Sequence, residues 1–378
     1  MNVIVLGAGL VGTPMAIDLA KYAEFKVTVA DISEENLAKL ALIEHIKTIQ
    51  ADLSNKERLK KLVSSFDIVL SAVPGFMGYE TLKTVIEAGK NIIDIAFFPE
   101  DLFTLDELAK ENNVIAISDI GVAPGMSNVL IGYVDQILDK TEKAITYVGG
   151  LPVVREWPYE YKAVFSPIDV IEEYTRPARY IENGKDVIKP ALSDPELLNF
   201  EGVGTLEAFN SDGLRSLAKT IDAPFMIEKT LRYPGHIEKM AVLRETGFFN
   251  KEKVEVNGVL ISPMDLTAKL LFPKWELKEG EMDLTIMQVI IEGIKDEQKL
   301  RYAYDLLDYY DPETKTHSMA RTTGYTATMA VRMLAKGLYT QTGVSAPEHI
   351  GKHPECVDFL LDGLDERGVI YGETITEL

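Results

Sequence analysis

The stretch NVIVLGAGLVG, residues 2–12, decides how the rest of the chain is read. Its first five residues form a short apolar run of the kind that becomes a buried strand. Gly7, Gly9 and Gly12 follow at once, with Leu10 and Val11 between the last two. A helix-period stretch runs over 14–22 and opens at Pro14, whose missing N–H costs nothing in a first turn. A second strand, 26–30, ends at Asp31, nineteen residues beyond Gly12. Strand, GxGxxG turn, helix and an acid at the next strand end together make a dinucleotide-binding fingerprint. Gly7 permits the tight turn, Gly9 lets a pyrophosphate approach the backbone, and Gly12 lets helix and strand pack closely. The helix N-terminus presents N–H groups and a positive dipole end to the phosphates. Asp31 can accept hydrogen bonds from ribose hydroxyls and would repel a 2′-phosphate. Ile32, Ser33 and Glu34 bring no compensating arginine, so the expected cofactor is NAD rather than NADP.

Working outward, strands at 46–50, 67–73, 91–97 and 114–118 alternate with helices at 79–88 and 103–111. This alternation predicts a parallel sheet with right-handed crossovers. Ligands bind at the carboxyl ends of such strands, which places Asp31, Asp52, Pro74, Phe97 and Asp119 around one crevice. Asp52 would touch the adenine side, and Ala72, Val73 and Pro74 the nicotinamide half. A turn-rich segment, 120–128, leads into a helix at 129–138, and then the pattern changes. Strands are expected at 144–150, 178–188 and 225–232, and helices at 211–220 and 236–246. Two long strands, 282–294 and 299–309, flank the polar turn Asp296-Glu297-Gln298 and could pair as a hairpin. A helix at 318–337, stopped by Gly337, brings the chain back. The expected fold is α/β: a Rossmann domain at 1–125, an α+β domain inserted at 126–317, and a segment at 318–378 returning to the first domain.

Composition narrows the function classes. A length of 378 residues implies two or three domains, and 46% hydrophobic with 26% charged residues is ordinary for a globular chain. The net charge of −20 makes nucleic acid or an anionic membrane a poor partner. The single cysteine, Cys356, excludes an intrachain disulfide and any CxxC site, and lacks a basic neighbour to activate it. The five histidines form no HExxH, so no metal site is expected, and His45, His317, His349 and His353 read as surface residues. No apolar run approaches a membrane span, and the N-terminus has no basic leader, so a soluble cytoplasmic protein is expected.

Several longer segments resemble the saccharopine dehydrogenase family, and within it the L-lysine 6-dehydrogenase branch. They are VLGAGLVG (5–12), the run from 73 to 101, DIGVAPGMSNVL (119–130), GGLP (149–152), EAFNSDGLRSL (207–217), KTLRYPGH (229–236) and MARTTGYTA (319–327). The resemblance implies the inserted second domain. It also implies a reaction in which the amine-bearing carbon of an amino acid loses hydride to a nicotinamide and the imine is hydrolysed. For lysine the product is 2-aminoadipate 6-semialdehyde plus ammonia.

Such a site must grip the substrate's carboxylate and amine and move a proton from the reacting nitrogen. Asp119, at a strand end before a glycine-rich turn, is the first candidate base or ammonium ligand, although Asp before Gly also suits a simple turn. Asn210, Ser211 and Asp212 precede an expected helix and read equally as substrate contacts or an N-cap, with Arg215 one turn inside. Thr230 and Arg232 share a strand face, and a bidentate arginine suits a carboxylate. His236 is a candidate acid or base because histidine titrates near neutral pH. Phe97 completes the set. Tyr147, Tyr161 and Lys162 could line the second-domain wall, and Arg321 and Thr322 could close the cleft or simply start the late helix.

The alternatives are a saccharopine dehydrogenase, for whose extra carboxylates Arg155, Arg176 and Arg179 are available, and a dinucleotide-binding regulator without turnover. A homodimer through the second domain is expected, because strands at 282–309 would make poor exposed edges.

Overall fold

The computed structural model describes residues 1–278 and 280–378 and divides them into two compact units. One comprises Met1–Asp139 with Met319–Tyr371, the other Lys140–Ser318 with Gly372–Leu378.

The first unit carries β1 (Asn2–Leu6), β2 (Lys26–Asp31), β3 (Ile46–Gln50), β4 (Ile68–Ser71), β5 (Asn91–Asp94) and β6 (Ile115–Ile117). A late strand, Gly343–Ser345, pairs with β6 and completes a seven-stranded sheet. Its order is late strand, β6, β5, β4, β1, β2, β3, with every pairing parallel. The order reverses between β1 and β4, which is where an open α/β sheet makes its ligand crevice. Buried Ile, Val and Leu on β1, β4 and β5 form near-continuous apolar strands, as a sheet covered on both faces requires.

The return of the chain has a specific anchor. Asp18, on the helix Gly12–Ala20, is 1% exposed. Its Oδ2 accepts from Arg332 Nη1 at 2.8 Å and Thr328 Oγ1 at 2.6 Å, and its Oδ1 accepts from Arg367 Nε at 2.8 Å. Two arginines from the C-terminal segment thus neutralise one buried carboxylate of the fingerprint helix.

The helix Met126–Ile137 belongs to this unit, so the boundary expected at 125/126 falls at 139/140. Packing explains the shift: a Cβ on Gly132 would lie 2.3 Å from the Glu348 carbonyl oxygen, and Asn128 donates to the Glu348 carboxylate at 3.3 Å. The last residues also differ from expectation. Gly372–Leu378 join the second unit, as part of a strand, Tyr371–Glu377.

The second unit contains β7 (Lys140–Pro152), β8 (Ala178–Glu182), β9 (Lys185–Lys189), β10 (Glu196–Phe200), β11 (Gly204–Asn210), β12 (Phe225–Arg232), β13 (Val254–Val256), β14 (Val259–Ile261), β15 (Asp283–Lys295) and β16 (Gln298–Tyr309). Its large sheet runs β10, β11, β12, β7, β15, β16 and the terminal strand, with β8 and β9 branching from β12. The β12–β7 pair is parallel, and β10–β11, β11–β12, β7–β15 and β15–β16 are antiparallel. The long pair β15–β16 is a hairpin turned by Asp296 and Glu297 at φ 49° and 68°. Its strands are not sheet edges: β15 lies between β7 and β16, and the terminal strand covers β16. The expected edge argument for a dimer at 282–309 therefore falls.

The helix expected at 211–220 is reduced to Leu217–Thr220. Ser211 and Asp212 are consequently not its N-cap, and Arg215 lies outside it at φ 55°. Their side chains bond to tertiary partners instead, as set out below.

Candidate functional site

In the first unit the glycine turn has the geometry its spacing predicts. Gly7 sits at φ 103°, and a Cβ there would meet the Ala72 carbonyl oxygen at 2.7 Å. A Cβ on Gly12 would lie 2.2 Å from the Gly7 carbonyl oxygen, so helix and strand pack at glycine-only distance. Gly9 faces open space, with nothing within 4 Å of its Cβ position. Asp31 closes the turn: one carboxylate oxygen accepts the Ala8 N–H at 2.6 Å and the other the Ser33 N–H at 2.7 Å. Leu10 and Ile32 are exposed beside it, and Val11 is half-buried. This cradle fits a dinucleotide, with room over Gly9 for a pyrophosphate and a carboxylate at the end of β2 for a ribose. Asp52, at the end of β3, accepts the Ser54 N–H and hydroxyl, which together hold its carboxyl below the usual range.

The carboxyl ends of β4, β5 and β6 bring a second set together. Ala72, Val73 and Pro74 follow β4, with Val73 buried and Pro74 exposed. Phe97 is half-buried just past β5. Asp119 follows β6, is 2% exposed, and holds φ 61°. A non-glycine residue in the left-handed region at a sheet's carboxyl edge marks a place where the surroundings over-determine the backbone. Tight glycines support it: a Cβ on Gly125 would lie 2.0 Å from the Gly121 carbonyl oxygen.

Asp94 was not legible as a site residue. It ends β5 between Ser71 of β4 and Ser118, whose hydroxyl donates to it at 3.3 Å. Burial, with the Asp119 charge adding to it, pushes the Asp94 carboxyl up to about 7. The only sequence signal was an acid ending an otherwise apolar strand.

In the second unit β12 supplies one row of alternate residues, Glu228, Thr230 and Arg232, by the period of two. Thr230 donates to Ser211 Oγ at 2.7 Å, and Ser211 donates to Glu228 at 3.1 Å. Glu228 is buried, and burial, together with the charges of Glu173 and Asp212, pushes it up to about 8. Its other oxygen packs on Gly213, where any Cβ would overlap it. Asp212 takes a bidentate pair from Arg179 at 2.7 and 2.9 Å. Asn210 donates to Ser193 and Asp194 at 3.0 and 2.8 Å. The structure therefore joins Ser211, Thr230 and Glu228 in one buried polar cluster, while Asn210, level with Lys229 on the opposite face of β12, bonds with it to Asp194, and Arg215 is half-exposed in the following loop.

Arg232 and His236 form a different assembly. Arg232 is 2% exposed and donates to Tyr174 Oη at 3.1 Å, Glu173 at 2.6 Å and the Leu231 carbonyl at 2.9 Å. Its guanidinium lies 4.6 Å from the Tyr161 ring centroid. Gly235, at φ 87°, turns the chain so that His236 starts its helix facing inward. His236 Nδ1 lies 2.8 Å from the Tyr159 carbonyl, which can only accept, so Nδ1 carries the proton. Nε2 then accepts from Tyr174 Oη at 3.0 Å. Burial, and next the charge of Arg232, push the imidazole down to about 3. The expectation of a histidine titrating near neutrality is thus corrected: His236 is a neutral link in a bonded chain, packed against Tyr161, Tyr174 and Trp275.

Lys162 is buried and pairs with Glu281 at 3.3 Å, and Tyr147 donates to Glu196 at 3.5 Å. Thr322 donates to the Met319 carbonyl at 3.4 Å and Arg321 to that of Arg367 at 3.0 Å, both within the first unit. Of the four histidines expected at the surface, His45 is exposed and His317, His349 and His353 are half-buried; His317 bonds to the Glu281 carbonyl and His349 lies 5.8 Å from the Phe103 ring. Cys356 is buried, and burial pushes its thiol up to about 11. Among the described residues no helix is long and apolar enough to cross a membrane, and no group of three His, Cys, Asp or Glu is placed to hold a metal.

The first unit is a nicotinamide-dinucleotide-binding domain, and with its partner unit it defines a two-unit oxidoreductase. Residues 3–117 match the saccharopine dehydrogenase NADP-binding domain and residues 121–369 the saccharopine dehydrogenase C-terminal domain. The chain belongs to the saccharopine dehydrogenase family. It is 23% identical to the NADP(+), L-glutamate-forming saccharopine dehydrogenase of Schizosaccharomyces pombe, over 100% of this chain and 99% of that one. It is 25% identical to the mitochondrial alpha-aminoadipic semialdehyde synthase of Rattus norvegicus over 66% of this chain, and spans only 29% of that protein's length. The apo saccharopine dehydrogenase (L-Glu forming) of Saccharomyces cerevisiae has the same fold, with a TM-score of 0.81 at 20% identity and 99% coverage of both chains.

Proposed function

We propose that this chain is an NAD-dependent L-lysine 6-dehydrogenase, converting L-lysine, NAD and water to 2-aminoadipate 6-semialdehyde, ammonia and NADH. The observation that carries the choice of substrate is the state of the second unit's cations. Arg155 pairs with Glu160, Arg176 with Glu172, Arg179 with Asp212, Lys162 with Glu281, Lys229 with Glu196 and Arg232 with Glu173. Six cations that could hold the extra carboxylates of saccharopine already hold carboxylates of the chain. A substrate with one carboxylate suits such a site better.

In this reading Asp31 selects NAD, because its carboxylate stands where a 2′-phosphate would come. The nicotinamide supplies a hydride acceptor when bound. Gly7, Gly9, Gly12, Leu10, Val11, Ile32 and Asp52 hold the adenosine and pyrophosphate side, and Ala72, Val73 and Pro74 the nicotinamide side. Asp119 takes the proton from the reacting amine, with Phe97 beside it. Arg215 receives the substrate carboxylate, while Ser211 and Thr230 hold its loop in shape and Asn210 ties the end of β11 to Ser193 and Asp194. Arg232 and His236 act as frame, since every nitrogen of both is engaged within the protein.

The names of the relatives favour a second reading, an NADP-dependent saccharopine dehydrogenase. One assay separates the two: NADH or NADPH absorbance with L-lysine, L-ornithine or saccharopine at mildly alkaline pH, with ammonia measured in parallel. Lysine-dependent NADH with stoichiometric ammonia is the expected result. Turnover of saccharopine alone would overturn the lysine reading, and binding of NAD without turnover of any amine would leave a regulator.

A further inference from the structure

Strands β13 and β14 form a two-stranded sheet that pairs with neither large sheet. Asn257 and Gly258 turn it at φ 51° and 81°, the left-handed pair that matches hairpin twist. The register sets Val254 opposite Ile261, Glu255 opposite Leu260 and Val256 opposite Val259. Opposed residues share a face, so Val254, Val256, Val259 and Ile261 make one entirely apolar side. Val254, Val256 and Val259 are 49%, 47% and 60% exposed. The helix that follows, Pro263–Trp275, leaves Leu266 and Leu270 exposed one turn apart. Scattered surface apolar residues need no explanation, but a β-branched face on a hairpin with open edges does. An isolated two-stranded hairpin is marginal in water by itself.

The edge of β13 indicates what covers it. Its sequence around Val254 is Lys253-Val254-Glu255, and all three are exposed. If two copies of this strand run antiparallel about a two-fold axis at Val254, Lys253 of each copy stands opposite Glu255 of the other. The segment is self-complementary in charge, as an isologous contact demands, and opposite charges across a strand pair are favourable where like charges are not. We propose that the β13–β14 hairpin is a homodimer contact, with β13 of one copy pairing antiparallel to β13 of a second and the apolar faces covered in the same contact. This surface stands independently of the substrate.

Sedimentation of the full chain over a micromolar concentration series tests it. The expected result is a dimer whose dissociation constant rises by at least about tenfold in Lys253→Glu and in Glu255→Lys, since each reversal places like charges opposite one another twice per dimer. The double variant K253E/E255K restores the opposite-charge pairs and returns the dimer to wild-type strength. Val254→Asp yields monomer with an unchanged far-ultraviolet circular dichroism spectrum. A monomeric wild-type protein, or a dimer indifferent to the single reversals and to Val254→Asp, would overturn the proposal. So would single reversals that weaken the dimer without rescue in the double variant.

Discussion

Around Asp18 two guanidiniums and a hydroxyl converge on one buried carboxylate, while around Asp94 a carboxyl of equal burial meets serines and a second acid. Both lie in the first unit, at opposite ends of the strand–helix layers. The Asp18 region joins elements distant in sequence and keeps its charge by importing arginines. The Asp94 region sits at the carboxyl edge of the sheet and imports none, so burial works against its charge. Residues that fasten a fold are compensated, and residues at the ligand edge are left poised. Glu228 repeats the second pattern in the other unit, buried and pushed up to about 8.

The largest expected effect comes from breaking the compensated region. Asp18→Leu strands Arg332 and Arg367, whose side chains are 6% and 7% exposed, and should cost about 3–5 kcal/mol in denaturant unfolding. A loss under about 1 kcal/mol would erase the distinction drawn here.

The poised region should respond with the opposite sign. A carboxyl whose folded value is raised to about 7 contributes stability below its ordinary value near 3.8 and loses it as pH rises toward 7. Asp94→Asn should therefore match wild type at pH 4 and exceed it by about 4 kcal/mol at pH 8. Parallel stability curves for the two proteins across that range would show that Asp94 is compensated after all.

His236 sharpens the comparison from the basic side. Its folded value, about 3, lies below the ordinary 6.5, so it contributes stability above pH 6.5 that is lost as pH falls toward 3. His236→Gln should lack that acid limb, a difference of about 1–2 kcal/mol at pH 5. It should also leave the pH profile of turnover between 6 and 8 unchanged in shape. A lost kinetic limb near pH 6.5 would return His236 to acid–base duty.

Asp31 gives the smallest effect, because its partners are backbone N–H groups rather than charges. Asp31→Ser should shift the NADP-to-NAD ratio of kcat/KM by about tenfold toward NADP, about 1.4 kcal/mol. An unchanged ratio would remove Asp31 as the cofactor selector.

How far the sequence could be read follows the same division. The first unit declares itself through local pattern: apolar strands, a glycine turn with one permitted geometry, and an acid at the next strand end. The same pattern hides Asp94, since the burial that raises it and the Asp119 charge that adds to it come from packing beyond the next crossover. In the second unit Ser211 and Asp212 resemble a helix cap in one dimension, yet Glu228 and Arg179 claim them in three. The hairpin β10–β11 is hard to read in the sequence because Leu197 and Leu198 stand side by side and break the alternation of β10. The Asn257-Gly258 turn of β13–β14, by contrast, carries a strong local hairpin signal. That the first compact unit runs on to Asp139 is hidden in the sequence, because Gly132 gives no hint of its contact with Glu348, more than two hundred residues later.

The Asp18 anchor also bears on how the chain is made. A ribosome delivers the fingerprint helix early, then Lys140–Ser318 of the second unit, and only afterwards Arg332 and Arg367. At synthesis speeds of about 5–20 residues per second, the helix waits some tens of seconds for its counter-charges. The nascent dinucleotide-binding half is thus an acid without its base until Arg332 and Arg367 emerge, and Lys140–Ser318 have the whole of that interval in which to fold first.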